Sequence, residues 1–379
     1  MDDVKKNLIR KKTFLIGILL AFLSLYFLSS SKQNQINFEE LAINKDATVE
    51  FGKVENYRIH CQDLRDINEC LLSYFRFGEN LPVILWLGNS QLHAINQFKI
   101  GDKPSSVKLH KRLKKKGYFL ITFSQPNANL QEHLILTAHL MQKIPIKKII
   151  LPVVFDDMRV VDIRLQIENI FKDEKTKKFL IKNSQIGSKL YQNFLNKKKE
   201  TFQSHKKKKS LQESSEKFLN EKLKKAWSLW SERPSLRGEL LNNLYQLRNF
   251  IFNINPSSTR NMIPGYYLKN FEAIKDLIKI SKINQIETLV YIAPIRNDYK
   301  IPYKISEYEK FKSDIKNQSK LNNIHFRNFE NIIPNIYWGT KESTSILKGQ
   351  EIDFMHFRSE GHNLLAEILY EEIIKIINK

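Results

Sequence analysis

Short apolar runs alternate with amphipathic stretches along much of the chain. Four runs have the length and composition of buried strands: residues 83–87, 118–123, 148–155 and 287–294. Helical periodicity is clear in residues 130–143, 270–283 and 306–321. Continuous apolar strands separated by helices are typical of a parallel sheet covered on both faces. The pattern therefore predicts a doubly wound α/β fold.

The stretch from about 170 to 262 departs from this alternation. It has no convincing strand, and seven lysines at 197–199 and 206–209 are accompanied only by Glu200. Apolar residues recur at helical spacing in two series: Phe218, Leu219, Leu223, Trp227 and Trp230, then Leu240, Leu244, Leu247 and Ile251. We interpret the stretch as a helical insertion built around a helix pair. Its lysines and tryptophans form either a solvated face and a packed pair, or a surface that docks on a membrane or a membrane partner.

The N-terminus predicts a membrane anchor. Five basic residues within 1–12 precede an uncharged apolar run near the short end of what spans a bilayer. The basic flank should stay in the cytoplasm, which places the rest of the chain outside. A cleaved signal peptide is the alternative, although no Ala-x-Ala site follows. We divide the chain into a cytoplasmic basic tail (1–12), a transmembrane anchor (13–30), a linker segment (31–77) and a domain (78–379).

Composition and charge limit the classes of molecule that the protein is expected to bind. With 379 residues and 42% hydrophobic content, the chain can build one large domain or two small ones. Its formal charge of +22 implies attraction to anionic surfaces such as lipid head groups and acidic polymers. No zinc-finger, RNP or basic-zipper pattern accompanies the charge, so we expect no nucleic-acid binding. The expected partners are a membrane and an anionic glycan or lipid.

The two cysteines and the helical histidines do not predict a metal site. Cys61 and Cys70 either close a small loop in an oxidising compartment or remain two buried thiols. Neither has the spacing partners of a zinc site. His133 and His139 are six residues apart, which misses the i, i+4 spacing of helical zinc ligands. We therefore expect no metal and no cofactor.

Candidate chemistry lies at the two ends of the predicted sheet domain. Gly88-Asn89-Ser90 follows the first strand, where ligands of parallel sheets bind. Ser90 either caps the following helix or acts as a nucleophile whose N–H stabilises an oxyanion. Far along the chain, Asp353 and His356 stand three positions apart in a predicted turn before a helix. That spacing lets the carboxylate orient the imidazole as a base for Ser90.

These motifs resemble the SGNH (GDSL-like) hydrolase superfamily. The similarity rests on GNS after strand one, on DFMH with a following Gly361-His362 helix, and on the order of elements between them. It covers roughly residues 78–166 and 265–379 and implies a flavodoxin-like fold. The resemblance implies that Ser90 is the nucleophile, His356 the general base and Asp353 its orienting partner. His362 would pack near the site rather than react.

The sequence departs from the family pattern at the oxyanion positions. Asn89 stands where the family has Asp, and Phe155-Asp156-Asp157 stands where it has Gly-x-Asn. The aspartate pair either binds a cation or forms an ion-paired loop with Arg159. The substrate-binding and oxyanion candidates are therefore Gly88, Asn127, Asn129, Arg159 and Arg296.

A more distant likeness concerns the cellular role. The anchor, the late DxxH motif and the strand ending in residues 291–298 (YIAPIRND) are similar to the D-alanyl transfer protein of teichoic-acid modification and to alginate O-acetylation proteins. Those relatives move acyl groups onto envelope polymers beside a multi-spanning membrane O-acyltransferase. We therefore predict a membrane-anchored exoplasmic serine acyltransferase or esterase that acts on a cell-envelope glycan or lipid.

Two alternatives remain at the sequence level. One is a non-catalytic, SGNH-like binding or scaffold subunit of a polymer-modification complex, which Asn89 and Asp156 favour. The other is a membrane-tethered subunit whose helical insertion is the functional surface.

Overall fold

Six short strands form a parallel sheet at the centre of the computed structural model. They are β1 (His60–Cys61), β2 (Val83–Gly88), β3 (Phe119–Ser124), β4 (Ile146–Val153), β5 (Glu287–Ile292) and β6 (His325–Asn328). Their spatial order is β6-β5-β4-β2-β3-β1, and every neighbouring pair is parallel. The structure describes residues 48–49, 52–61, 64–78, 80–206, 218–223, 241, 243–345 and 349–377.

Eight helices of ten or more residues accompany the sheet in these described residues. They are α1 (Leu64–Phe77), α2 (Ser105–Lys114), α3 (Leu130–Met141), α4 (Glu174–Asn183), α5 (Gln185–Lys206), α6 (Pro264–Ile283), α7 (Ile305–Leu321) and α8 (Ser359–Ile377). Shorter elements are the helix Leu165–Glu168, the 3-10 turns Ser90–Leu92, Asp156–Arg159, Asn169–Lys172 and Asn335–Tyr337, and the two-residue strands Thr48–Val49, Lys53–Val54, Tyr57–Arg58 and Ala94–Ile95.

Two apolar layers bury the two faces of the sheet. In β2, Val83, Leu85 and Leu87 point into one core, whereas Ile84 and Trp86 point into the other. The first core is closed by α1 and α3 to α7, and the second mainly by α2 and α8. The predicted parallel α/β fold with helices on both faces is confirmed.

The edge strands β1 and β6 were missed by the sequence pattern. β1 has only two residues, and β6 reads His-Phe-Arg-Asn with every side chain at least partly exposed. Neither forms the continuous apolar run that identifies a buried strand. Helix α1 lies within residues 31–77, the segment that the sequence predicts to be a linker.

The chain reverses its direction across the sheet at β2. It passes from β2 to β3 on one side and then crosses to β4 on the other. In open α/β sheets, such a switch point leaves a crevice at the carboxyl ends of the strands. The Gly-Asn-Ser segment follows β2 directly at this point.

A hairpin beside the sheet holds the C-terminal motif. Its strands are β7 (Trp338–Glu342) and β8 (Gln350–Phe357), with a register shift between Trp338 and Thr340. The N–H of Asn96 donates to the carbonyl of Phe357 at 3.0 Å, which joins the hairpin to the chain after β2. Asp353 and His356 therefore lie on a strand, not in the turn that we expected before the last helix.

The stretch predicted as an insertion begins inside the core. Leu180 of α4, together with Ile186 and Leu190 of α5, is buried in the first apolar layer. The described residues 218–223 and 243–251 are helical. Trp227, Trp230 and the lysines at 207–209 lie outside the described residues. The first part of the stretch is thus a structural layer of the domain, because its apolar face packs against α3 and α6.

The predicted anchor at 13–30 also lies outside the described residues. Within the residues that the structure describes, no helix combines the length and apolar composition needed to cross a bilayer. The structure joins Cys61 and Cys70 in a disulfide that links β1 to α1.

Candidate active site

Ser90 opens a single 3-10 turn at the end of β2. The Asn89 side chain accepts a hydrogen bond from the N–H of Gln91 at 3.0 Å, which caps the turn. Gln91 Nε2 donates to the carbonyls of Pro294 and Met355, at 2.8 and 2.9 Å. The expectation that a helix starts at Ser90 is wrong, because these distant contacts hold the segment and the next helix starts only at residue 105.

Gly88 allows the turn to close tightly. A Cβ at this position would lie 2.3 Å from Leu92 Cδ1. A side chain is therefore excluded by packing against the turn, since contacts this short do not occur in well-packed interiors.

Ser90, His356 and Asp353 form a connected series of hydrogen bonds. His356 Nε2 lies 2.9 Å from Ser90 Oγ, and His356 Nδ1 lies 2.9 Å from Asp353 Oδ2. Asp353 Oδ1 accepts the N–H of Met355 at 2.9 Å and of His356 at 3.0 Å. Asn96 Nδ2 donates to Asp353 Oδ2 at 3.1 Å. The structure thus brings Ser90 together with two residues that lie more than 260 positions further along the chain.

The electrostatics of Asp353 suit an orienting carboxylate. The residue is 3% exposed, and burial alone would raise its pKa. The charge of His356 and the hydrogen bonds from its ring and from backbone amides outweigh burial and lower the pKa to about 2. Asp353 is therefore ionised throughout the neutral range and can stabilise a protonated His356.

The backbone of Ser90 offers an oxyanion donor. In the described part of the chain, its N–H has no acceptor, whereas the amides of the next three residues are all bonded within the turn. An amide free at the start of a turn, beside the nucleophilic oxygen, is the arrangement that stabilises a developing oxyanion.

Of the two asparagines considered for the oxyanion site, one caps a helix and the other lies in an exposed turn. Asn129 caps α3: its Oδ1 accepts the N–H of Gln131 and Glu132, each at 3.1 Å, and its Nδ2 donates to the carbonyl of Asp162 at 2.9 Å. Asn127 occupies an exposed turn with a left-handed φ of 51°. The structure therefore gives Asn129 a capping role.

Arg159 belongs to an ion-paired loop. Its guanidinium donates to Asp156 Oδ1 at 3.2 Å and to the carbonyl of Asn261 at 2.8 Å. Asp156 also pairs with Arg260 and accepts the Tyr303 hydroxyl at 3.0 Å. Of the two alternatives for this loop, the structure shows the ion pair. Within the described residues, no three or more His, Cys, Asp or Glu side chains lie close enough together to hold a metal ion.

Arg296 is likewise neutralised within the fold. Its guanidinium makes two bonds to Asp298, at 2.7 and 3.0 Å, and a third to the carbonyl of Gly339 at 2.8 Å. The side chain therefore braces the loop after β5 against β7, and its charge is not directed to Ser90.

The two positions that depart from the family pattern, Asn89 and Asp157, contact each other. Asn89 Nδ2 donates to both carboxyl oxygens of Asp157, at 3.1 and 2.8 Å, and the two residues are 6% and 4% exposed. Burial raises the pKa of Asp157 well above its usual value, although the bond from Asn89 opposes this. An amide and a carboxyl thus form a buried pair directly behind Ser90. No local sequence pattern predicts this pairing.

Six other histidines are buried in the described residues: His60, His93, His110, His133, His139 and His362. His93 Nδ1 and His60 Nε2 share the Ser124 hydroxyl, at 2.7 and 2.5 Å, so His93 is not directed to Ser90. His362 contacts the Ser105 hydroxyl at 2.9 Å, which fits the packing role expected of it. Burial lowers the pKa of His60 and of His362 to about 3, so both are neutral near pH 7. His133, on α3, is also buried and has a pKa lowered to about 3.

A cavity of about 220 Å³ opens beside the reacting residues. Asp353 and His356 line it together with residues between Tyr245 and Arg260. Arg260 and Lys341 line it as well, and neither was identified from the sequence. Only their position in space connects them with the serine, since no motif surrounds them.

Comparisons with known proteins add little beyond this geometry. No protein-family model matches the chain, and no curated protein matches it. One similar solved structure is a Bacteroides fragilis protein assigned as an acylhydrolase, at 11% identity and a TM-score of 0.36, covering 81% of this chain and 96% of that one. Another is a GDSL-like lipase from Bacteroides thetaiotaomicron, at 11% identity and a TM-score of 0.37, covering 81% and 98%. At these TM-scores the similarities do not assign the chain to a family.

Proposed function

We propose that the protein is an SGNH-type serine enzyme that transfers or hydrolyses acyl esters. The observation that supports this most strongly is the unbroken series of bonds from Ser90 through His356 to Asp353, each 2.9 Å long. A capping serine needs no histidine at its hydroxyl, and a histidine that only packs needs no ionised carboxylate on its other nitrogen.

The first half of the reaction acylates the serine. Ser90 Oγ attacks the carbonyl carbon of the ester while His356 Nε2 takes the hydroxyl proton. The N–H of Ser90 stabilises the negative charge on the carbonyl oxygen in the tetrahedral intermediate. The carbon–oxygen bond to the leaving group then breaks as His356 returns the proton to the departing oxygen, which leaves an acyl-serine and a free alcohol.

The second half regenerates the enzyme. A water molecule or an acceptor hydroxyl gives its proton to His356 and attacks the acyl carbon. Collapse of the second intermediate releases the acid or the new ester, and the proton passes back to Ser90 Oγ. Water and a sugar hydroxyl require the same three residues, so hydrolase and transferase share this mechanism.

We extend the proposal to the cell envelope. The basic and apolar N-terminal sequence supports a membrane anchor with the catalytic domain on the exoplasmic side, and the charge of +22 supports work near anionic polymers or lipids. The acceptor would be an envelope glycan or lipid, and the acyl group would be supplied beside a multi-spanning membrane O-acyltransferase.

The proposal is tested with the purified full-length chain and 4-nitrophenyl acetate. Ser90→Ala and His356→Ala should each lower kcat by roughly 10³-fold or more, because each removes part of one reacting unit. Ser257→Ala, an exposed serine near the cavity wall, is the matched control and should keep full activity. Turnover that survives in Ser90→Ala would contradict the proposal. An inactive but folded wild-type chain would favour the scaffold alternative.

The same assay separates transfer from hydrolysis. Glycerol is added as an acceptor, and the acetylated product is quantified against free acetate. A product ratio that rises well above the ratio of acceptor to water concentrations indicates a site built for transfer. A ratio that only follows the concentrations indicates a hydrolase.

A further inference from the structure

The cavity beside His356 carries positive charge that the acyl-transfer steps do not use. Two cationic side chains line it, Arg260 and Lys341. Among the described residues that line it, Asp353 is the one carboxylate, and its charge already serves His356. The cavity therefore attracts anions, because a concave site with low-dielectric walls focuses the field of its charges.

Lys341 is the cation that remains available to a ligand. It lies on β7, is partly buried, and forms no ion pair with any side chain that the structure describes. Glu351 stands opposite Lys341 in the hairpin register. Its carboxylate is instead bonded to the hydroxyls of Ser343 at 2.8 Å and Thr344 at 3.1 Å.

Arg260 is held in a different way. Its guanidinium pairs with Asp156 and lies 5.1 Å from the centre of the Tyr303 ring. Arg260 thus lines the cavity while its charge is paired with Asp156. Removal of Arg260 would also leave Asp156 with one ion pair fewer, so this residue is a poor choice for a test.

Lys341 is also close to the reacting groups. Burial raises the pKa of Asp353, whereas the charge of His356 and, more weakly, that of Lys341 lower it. A group bound to Lys341 would therefore lie in the cavity whose lining includes His356, and His356 Nε2 is 2.9 Å from Ser90 Oγ.

We propose that Lys341 holds an anionic group on the alcohol that leaves the ester, and on the acceptor alcohol that takes its place in transfer. The anionic group is a carboxylate or a phosphate, since both accept hydrogen bonds from an ammonium. This inference rests on the proposed function, whose reaction centre it shares. It adds a charge preference that the three reacting residues do not provide.

The test compares three acetate esters with the full-length chain. The neutral ester is methyl 4-acetoxybenzoate, and the two anionic ones are 4-acetoxybenzoate and 4-acetoxyphenyl phosphate. Lys341→Met should lower kcat/KM for the anionic esters by roughly three- to thirty-fold, mainly through KM, and leave the neutral ester within about twofold. Lys341→Arg should retain the preference. Lys111→Met, on the exposed surface of α2, is the charge-matched control and should behave as the wild type. A larger effect on the phosphate than on the carboxylate identifies phosphate as the natural group.

Equal losses for neutral and anionic esters in Lys341→Met would overturn the inference. A separate binding measurement distinguishes this failure from failure of the proposed function. Titration calorimetry with 4-hydroxybenzoate on Ser90→Ala, with and without Lys341→Met, reports the anion site without any turnover. Binding that depends on Lys341 in a chain that turns over none of the esters would contradict the acyl chemistry and support the anion site. Binding that is equal in both variants would contradict the anion site.

Discussion

The buried pair of Asn89 and Asp157 gives the sharpest test of the structure around Ser90. The amide nitrogen of Asn89 lies 2.8 and 3.1 Å from the two carboxyl oxygens of Asp157. Asn89→Asp would replace this amide with a second carboxyl group at about the same distance from Asp157. Two unit charges about 4 Å apart repel by about 4 kcal/mol at an effective dielectric constant of 20. The variant also loses both hydrogen bonds from the amide.

The loss should depend on pH. Burial already raises the pKa of Asp157, and a second carboxyl would raise it further, so one proton is retained between the two groups at low pH. We expect Asn89→Asp to destabilise the fold by about 2 to 4 kcal/mol at pH 8 and by clearly less at pH 5. Urea unfolding followed by tryptophan fluorescence gives the free energies, and the hydrolysis of 4-nitrophenyl acetate reports the effect on Ser90.

The reciprocal exchange provides the control. Asp157→Asn keeps one bond from the Asn89 amide and should cost only about 1 kcal/mol. Asn89→Asp combined with Asp157→Asn restores one carboxyl and one amide, and should recover most of the stability and activity lost in Asn89→Asp. A double variant as unstable as the sum of the two single variants would refute the pairing.

Three further results are expected. Asp353→Asn should lower kcat for ester hydrolysis by about 10² to 10⁴-fold in a folded chain, because the protonated imidazole of His356 loses its counter-charge; an unchanged kcat would remove Asp353 from the mechanism. Gly88→Ala should destabilise the fold by about 1 to 3 kcal/mol in urea unfolding, since its Cβ overlaps Leu92, and Leu92→Ala in the same chain should relieve part of the loss. The low pKa of His133, about 3, means that the unfolded chain binds a proton that the folded chain excludes. As the pH falls from about 6.5 towards about 3, the free energy of unfolding therefore falls by about 1.4 kcal/mol per pH unit on account of this one group. His133→Gln removes the group, so the slope of the free energy of unfolding against pH should decrease by that amount over this range.

The sequence predicted the fold wherever an element had a strong pattern of its own. The four central strands are continuous apolar runs, and three of the helices have clear 3.6-residue periodicity, so local sequence and burial agree. The edge strand at residues 60–61 is two residues long and is fixed by pairing with β3, which no local pattern reveals.

The conformation of the turn after β2 is likewise set by contacts with distant parts of the chain. Residues 90–97 have helical composition, but Gln91 is held by the carbonyls of Pro294 and Met355, and Asn96 bonds to the hairpin. Contacts across about 200 to 260 positions in the sequence thus override the local preference. The helix expected at Ser90 appears only after Pro104.

The sequence identified those residues of the candidate site that belong to a motif. Ser90, Asp353 and His356 carry recognisable spacing, and the structure brings them into contact. Lys341 and Arg260 have no motif, and their place at the cavity follows only from the hairpin and from the end of the long helical stretch. Asn129, Arg159 and Arg296 suit an anionic ligand by residue type, but a helix cap and two ion pairs engage them.

The central claim is that Ser90 is a nucleophile activated by His356. The most direct measurement incubates the full-length chain with a fluorophosphonate and determines the mass of the intact protein and of its peptides. We predict one adduct, located on Ser90, formed at a rate that falls by orders of magnitude in His356→Ala. A folded wild-type chain that forms no adduct, or one that is modified on another serine, would contradict the claim.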